Sequence, residues 1–176
     1  MPEVDLHKAD LLAPFIGQDF LTWLWFKIET ENGTMTTDSG ETVLVAMTQR
    51  VAVQGGEGET RDTATSSGPH SRLQEARLGL RTGKKVQQAR LYTEQDENVW
   101  QIQGQAEDFG MSGLKTPKVE VSQDEGEDPD AAFLEKTYLI EKCLQVVDTA
   151  FARFIQLRTG PQWPQEVKAV QDWIGS

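Results

Sequence analysis

The stretch RLGLRTGKKV, positions 77–86, contains the residues whose types most directly suggest chemistry. Its four cations, with no acid among them, are Arg77, Arg81, Lys84 and Lys85. Guanidinium and ammonium groups form charge-assisted hydrogen bonds to phosphate oxygens, and a cluster of them binds nucleic acid without reading its sequence. The alternative is that they are the solvated side of an amphipathic helix and of the turn after it, which is the usual role of a charge run.

The positive charge extends beyond this stretch. Residues 72–90 contain six cations and only Glu75 as an acid, a formal charge of +5 in a chain of −11, so the remainder carries −16. The acidic remainder repels phosphate, and only a local basic face could bind it. We therefore expect one exposed ridge, insulated from the protein's own carboxylates, in which each cation contacts a phosphate. The predicted nucleic-acid-binding residues are Arg72, Arg77, Arg81, Lys84, Lys85 and Arg90.

Other site chemistries lack the residues they need. A phosphate-binding loop requires four residues between its glycines and a Ser or Thr after its lysine, whereas three separate Gly79 from Gly83 and Lys85 follows Lys84. The two histidines and the single cysteine fall into no metal-ligand spacing, and the acidic segment 120–130 does not match a calcium loop. We expect no catalytic residue, no metal, no cofactor and no enzymatic activity.

Composition limits the class of protein. With 176 residues, 38% hydrophobic and 26% charged, the chain is expected to form a single globular domain, residues 1–176. No run of 18 apolar residues occurs, and the first fifteen residues carry acids where a secretory signal would be basic. One cysteine excludes an internal disulfide. These features predict a cytoplasmic protein without a membrane segment.

The helices that would position the cations follow from hydrophobic spacing. Residues 17–33 are apolar on nearly every side, which predicts a buried helix starting after Pro14, although the alternation of Trp23 and Trp25 would also suit a strand. The two tryptophans are expected to be core anchors, with base stacking as the alternative. Residues 130–159 form a long helix with two adjoining apolar stripes, and 164–175 form a last short one. Phe133, Ile140, Leu144, Val147, Phe151 and Phe154 make up one stripe, and Leu139, Cys143, Val146 and Ala150 the other.

The sheet is predicted from alternating, β-branched segments. Residues 41–68 are typical of a hairpin, 85–95 and 98–107 of two further strands, and 114–121 of a weaker strand broken by Pro117. Between them, Ser71 and Gln74 match a capping box that starts a short basic helix. The predicted fold class is α+β, an antiparallel sheet of about five strands packed against an N-terminal helix and a long C-terminal helix.

Three segments in order, SRLQEARLGLRTGKKVQQARLYT, NVWQIQGQAEDFGMSGLKTPKV and DPDAAFLEKTYLIEKCLQVVDTAFARFIQL, resemble the C-terminal half of the bacterial recombination-associated protein family RdgC. The likeness spans roughly residues 15–158. It implies a non-enzymatic, sequence-independent protein that forms a ring-like dimer around double-stranded DNA, modulates recombination or replication and is associated with the nucleoid. The chain has no counterpart of the family's N-terminal half, so the resemblance implies either a homodimer or a separate protein that supplies this half.

The acidic surplus favours a second hypothesis. The two apolar stripes of the long helix are wider than one face of a sheet needs, so area would remain for docking a partner or a second copy. The alternative function is therefore an acidic protein–protein interaction subunit that binds through this helix.

Overall fold

The computed structural model describes residues 6–55, 62–68, 73–119 and 129–176. It confirms the predicted α+β class, with an antiparallel sheet, an N-terminal helix and a long C-terminal helix. The sheet has six strands among these residues, where about five were expected. In chain order the elements are α1 (Leu6–Thr30), β1 (Thr34–Thr36), β2 (Thr42–Gly55), β3 (Asp62–Gly68), α2 (Gln74–Arg81), β4 (Lys85–Gln95), β5 (Asn98–Gln105), β6 (Met111–Lys115), α3 (Pro129–Thr159) and α4 (Trp163–Gly175).

The strand β2 organises the sheet. It pairs with β4 along one edge, and β1 and β3 pair with its first and last residues along the other edge. β5 and β6 follow β4, and every pairing is antiparallel. The two predicted pairs, β2 with β3 and β4 with β5, are confirmed.

The last strand differs from its prediction. β6 begins at Met111 and ends at Lys115, whereas a strand over 114–121 was expected. A proline has no N–H to donate to the strand ladder, so pairing stops before Thr116 and Pro117. The short strand β1 was not predicted, because three residues are too few to show an alternating pattern.

The helix α1 is confirmed, although it starts at Leu6, upstream of Pro14. Trp23 and Trp25 lie within this helix, so the strand alternative is wrong. They are 2% and 1% exposed, so both rings are core residues that cannot stack on bases. The sequence of α1 is apolar on nearly every side because this helix contacts the sheet, α3 and α4. The helix ends where Asn32 and Gly33 adopt positive φ angles of 55° and 67°.

The helices α1, α2 and α3 contact the sheet, and α4 packs on these three helices. In β4 the buried residues Ala89, Leu91 and Thr93 point toward the helices and alternate with half-buried Arg90 and Tyr92, which point away. This arrangement decides which of the predicted cations can act together.

Candidate functional site

The predicted cations are held by different partners. Arg77, in α2, donates a hydrogen bond from Nη1 to Oε2 of Glu29 at 3.0 Å and lies over the ring of Trp173, 5.1 Å from its centroid. Arg81, at the end of the same helix, donates from Nε to the carbonyl oxygen of Ile174 at 3.1 Å. Arg72 lies outside the described residues.

The turn after α2 positions the two lysines. Gly83 has a φ angle of 88°, which lets the chain reverse directly into β4. The stem of Lys84 lies beside Gly79 and Gly55, and the ammonium group of Lys85 forms an ion pair with Oδ1 of Asp19 in α1. The last cation, Arg90, lies on the opposite face of the sheet.

The described cations therefore do not form one ridge insulated from carboxylates. Arg77 and Lys85 are paired with acids of α1, and Arg90 points away from the others. The expectation failed because the acids that pair with the basic segment lie 48 and 66 residues earlier in the chain. Sequence spacing does not show which distant helix will pack against a charge run.

Three of the predicted residues do come together around a groove between α1, α2 and α4. This groove, here called the α4 groove, has a volume of about 500 Å³. Buried Trp23 and Leu80 form its floor. Its cationic lining residues are Arg81, Lys84, Lys85 and Arg158, and its apolar ones are Trp23, Leu80, Trp163, Val167, Val170 and Ile174.

Helical periodicity explains which residues of α1 and α4 line the groove. In α1, residues 19, 22 and 23 share one side of the helix, and in α4 residues 163, 167, 170 and 174 share another. The last apolar residues of α4 face different sides, since Trp173 is buried against Trp25 and Phe26 while Ile174 faces the groove.

Asp19 is the carboxylate that lines the groove among the described residues. Its Oδ1 atom is paired with Lys85, and its Oδ2 atom lies 2.9 Å from Nη1 of Arg158. Arg158 also lies over the ring of Trp163, 5.1 Å from the centroid. Sequence reasoning did not include Arg158 or Asp19 in the site. In the sequence, Arg158 is only a cation in the last turn of α3, a position that cations favour because of the helix dipole.

A second candidate surface lies on α3. The helix buries the stripe that contains Leu139, Cys143, Val146 and Ala150, and it leaves other large apolar residues in solvent. We call four of these the α3 patch: Phe133 (69% exposed), Leu134 (64%), Tyr138 (54%) and Leu144 (41%).

Ionisation in the described residues is tuned by pairing and by burial. A hydrogen bond from Arg153 lowers the pKa of Glu31, and one from Lys142 lowers the pKa of Glu41. Burial raises the pKa of the Cys143 thiol to about 11, so the thiol is neutral at pH 7 and a poor nucleophile.

The described part of the chain contains no group of three or more His, Cys, Asp or Glu side chains placed to hold a metal ion. None of its helices combines the length and the apolar character needed to cross a bilayer. Comparisons with protein-family models, with curated proteins and with solved structures found no match to this chain. The likeness to the RdgC family stays a prediction from the sequence.

Proposed function

We propose that the protein is an interaction subunit that docks a partner through the α3 patch. The observation that carries the proposal is the exposure of four large apolar side chains on a helix that already has a complete buried stripe. Isolated exposed apolar residues are normal on a protein surface, whereas contiguous ones mark a binding surface, and Phe133, Leu134 and Tyr138 lie within about two turns of α3.

Packing within the fold does not explain why the four residues of the α3 patch are apolar. Leu139 is 8% exposed, Cys143 2% and Ala150 2%, and this separate stripe attaches α3 to the rest of the protein. Phe133 and Leu134, by contrast, contribute little buried area to the fold. Burial of a large apolar side chain contributes about 1.5–3 kcal/mol, so covering both by a partner would supply substantial binding free energy.

The charges beside the patch favour a basic partner. Glu135, Glu141 and Asp148 are exposed on the same helix against one exposed lysine, Lys136, beside the patch, and the whole chain has a formal charge of −11. A second copy would bring the same charges into proximity, whereas a partner with cations around an apolar anchor would be attracted. We therefore assign the patch to an amphipathic basic segment of another protein.

The test uses a fluorescent helical peptide of about 18 residues built from leucine and lysine, and a matched peptide with glutamate in place of lysine. We expect the lysine peptide to bind in an anisotropy titration and the glutamate peptide not to bind. The double substitution Phe133→Asp and Leu134→Asp should weaken binding by about tenfold or more, equivalent to about 1.4 kcal/mol.

Leu78→Asp is the matched control, because Leu78 is 61% exposed but lies on α2. It should bind the lysine peptide as tightly as the wild type. Equal binding by the double variant and the wild type would refute the assignment of the patch. Sedimentation of the wild type as a dimer that the double variant abolishes would show that the occupant is a second copy.

Double-stranded DNA is a second candidate partner, as the resemblance to RdgC implies. The observation in its favour is that Arg81, Lys84 and Lys85 gather with Arg158 at one groove. The contacts would be to phosphates, and neither proposal includes a catalytic step. Association with the cytoplasmic nucleoid, and a homodimer or a separate protein completing a ring, follow from this proposal alone.

A labelled duplex tests the DNA proposal. The affinity of the protein for the duplex should fall steeply between about 50 and 200 mM salt. The double substitution Arg81→Glu and Lys84→Glu should weaken binding to all DNA sequences alike. Lys118→Glu with Lys136→Glu is the control, since both lysines are exposed away from the groove. Equal losses in the two variants would indicate an effect of net charge and would remove the predicted site.

A further inference from the structure

The α4 groove has the properties of a small-molecule site. Its volume of about 500 Å³ lies within the usual range for ligand pockets, roughly 300–1,000 Å³. One wall is the apolar side of α4, formed by Trp163, Val167, Val170 and Ile174. Trp23 and Leu80, 2% and 3% exposed, close the floor. An apolar body of elongated shape would remove the half-buried side chains of the α4 wall from water, above a floor that is already buried.

Among the described residues that line the groove, the cations outnumber the carboxylates. Lys85 and Arg158 share the single carboxylate of Asp19, so two positive charges are balanced by one negative charge. Their side chains are 45% and 31% exposed, so both are accessible from solvent. Arg81 is bonded to the carbonyl oxygen of Ile174, and no described carboxylate lies within salt-bridge distance of its guanidinium.

We propose that the α4 groove binds an amphipathic monoanion, specifically an aliphatic carboxylate of medium chain length. Its carboxylate contacts Lys85 and Arg158 beside Asp19, and its hydrocarbon chain lies along the apolar side of α4. A polyphosphate would leave most of this wall without an apolar partner, and a cation would meet like charge. This activity is separate from docking through the α3 patch, since the two surfaces share no residue.

Isothermal titration with decanoate, below the concentration at which it forms micelles, tests the proposal. The matched probes are 1-decanol, which lacks the charge, decylamine, which reverses it, and acetate, which lacks the chain. We expect decanoate to bind about tenfold or more tightly than 1-decanol, equivalent to about 1.4 kcal/mol, and decylamine and acetate not to bind. Equal affinities for decanoate and 1-decanol would overturn the charge assignment.

Three variants locate the ligand. Val167→Trp should abolish binding because the added ring fills the groove, and Val167 is half-buried, so the change is tolerable for folding. Arg158→Gln should lower the affinity for decanoate about tenfold and leave the affinity for 1-decanol unchanged. Asp19→Asn should strengthen decanoate binding several-fold, because it removes the carboxylate that competes for both cations. This gain cannot result from misfolding.

Arg90→Gln, on the opposite face of the sheet, is the control and should leave the decanoate affinity unchanged. Unaltered binding in Val167→Trp, or weaker binding in Asp19→Asn, would refute the site. The double variant of the α3 patch should retain decanoate binding, so failure of the docking proposal can be distinguished from failure of the ligand proposal. Binding of a DNA duplex at low salt by a protein that fails to bind decanoate would assign these cations to nucleic acid and overturn the ligand proposal.

Discussion

Replacing Phe154 by alanine should lower the free energy of unfolding by about 3–5 kcal/mol, the range measured for truncating a fully buried aromatic residue. Phe154 is 0% exposed. Its ring centroid lies 5.5 Å from those of Phe20 and Trp23 in α1 and 5.8 Å from that of Trp163 in α4. The side chain thus joins three helices, and its removal leaves a cavity that rigid neighbours on several sides cannot easily fill.

Urea denaturation followed by circular dichroism measures this effect. Phe133→Ala is the matched control, because it is the same substitution on the same helix at a residue that is 69% exposed. The control should change stability by less than about 0.5 kcal/mol. Similar losses in the two variants would contradict the packing of α3 described above.

Glu166→Ala should destabilise the protein by about 2–4 kcal/mol, because one carboxylate serves two partners, the buried Trp23 and the half-buried Lys27. Its Oε1 atom accepts a hydrogen bond from Nε1 of Trp23 at 2.8 Å and lies 2.6 Å from Nζ of Lys27. The side chains of Lys27 and Glu166 are only 15% and 16% exposed. Alanine would leave the buried indole N–H without an acceptor, and Lys27 with only the more distant Glu31 at 3.6 Å.

Glu166→Gln separates the two contributions, since an amide oxygen can still accept from Trp23 but does not pair with an ammonium charge. It should lose about half as much stability as the alanine variant in the same urea experiment. Glu141→Ala, at an exposed position of α3, should stay within about 0.5 kcal/mol of the wild type. A loss in Glu166→Ala no larger than this control would mean that the carboxylate does not connect α1 to α4.

Much of the fold was predictable because its elements have clear periods. The helix α3 was expected over residues 130–159 and runs from Pro129 to Thr159, since its apolar residues recur at helical spacing from Phe133 to Phe154. The pair β4 and β5 was equally clear, because alternating burial matches alternating residue type on both sides of a short polar turn. α1 was less certain, since a helix buried on all sides has no polar face to define its period.

The candidate sites were only partly predictable. The exposed apolar residues of α3 were predictable in part, since Phe133 and Leu144 belong to the first predicted stripe. Phe151 and Phe154 of that stripe pack against Phe20 in α1, and Leu134 and Tyr138 belong to neither stripe. The α4 groove did not, since Asp19, Arg81 and Arg158 come from three distant segments that only tertiary packing brings together. Charge counting identified Arg77 and Lys85 but not the acids of α1 that pair with them.

The burial of Cys143 has a practical consequence for labelling. Its thiol is 2% exposed and its pKa is raised to about 11, so thiol-reactive dyes will modify it slowly in the native state. The chain contains no other cysteine. A single cysteine introduced at a surface position of α3 or α4 can therefore carry a fluorophore or spin label without prior removal of the natural one, and the core around Cys143 keeps its native packing.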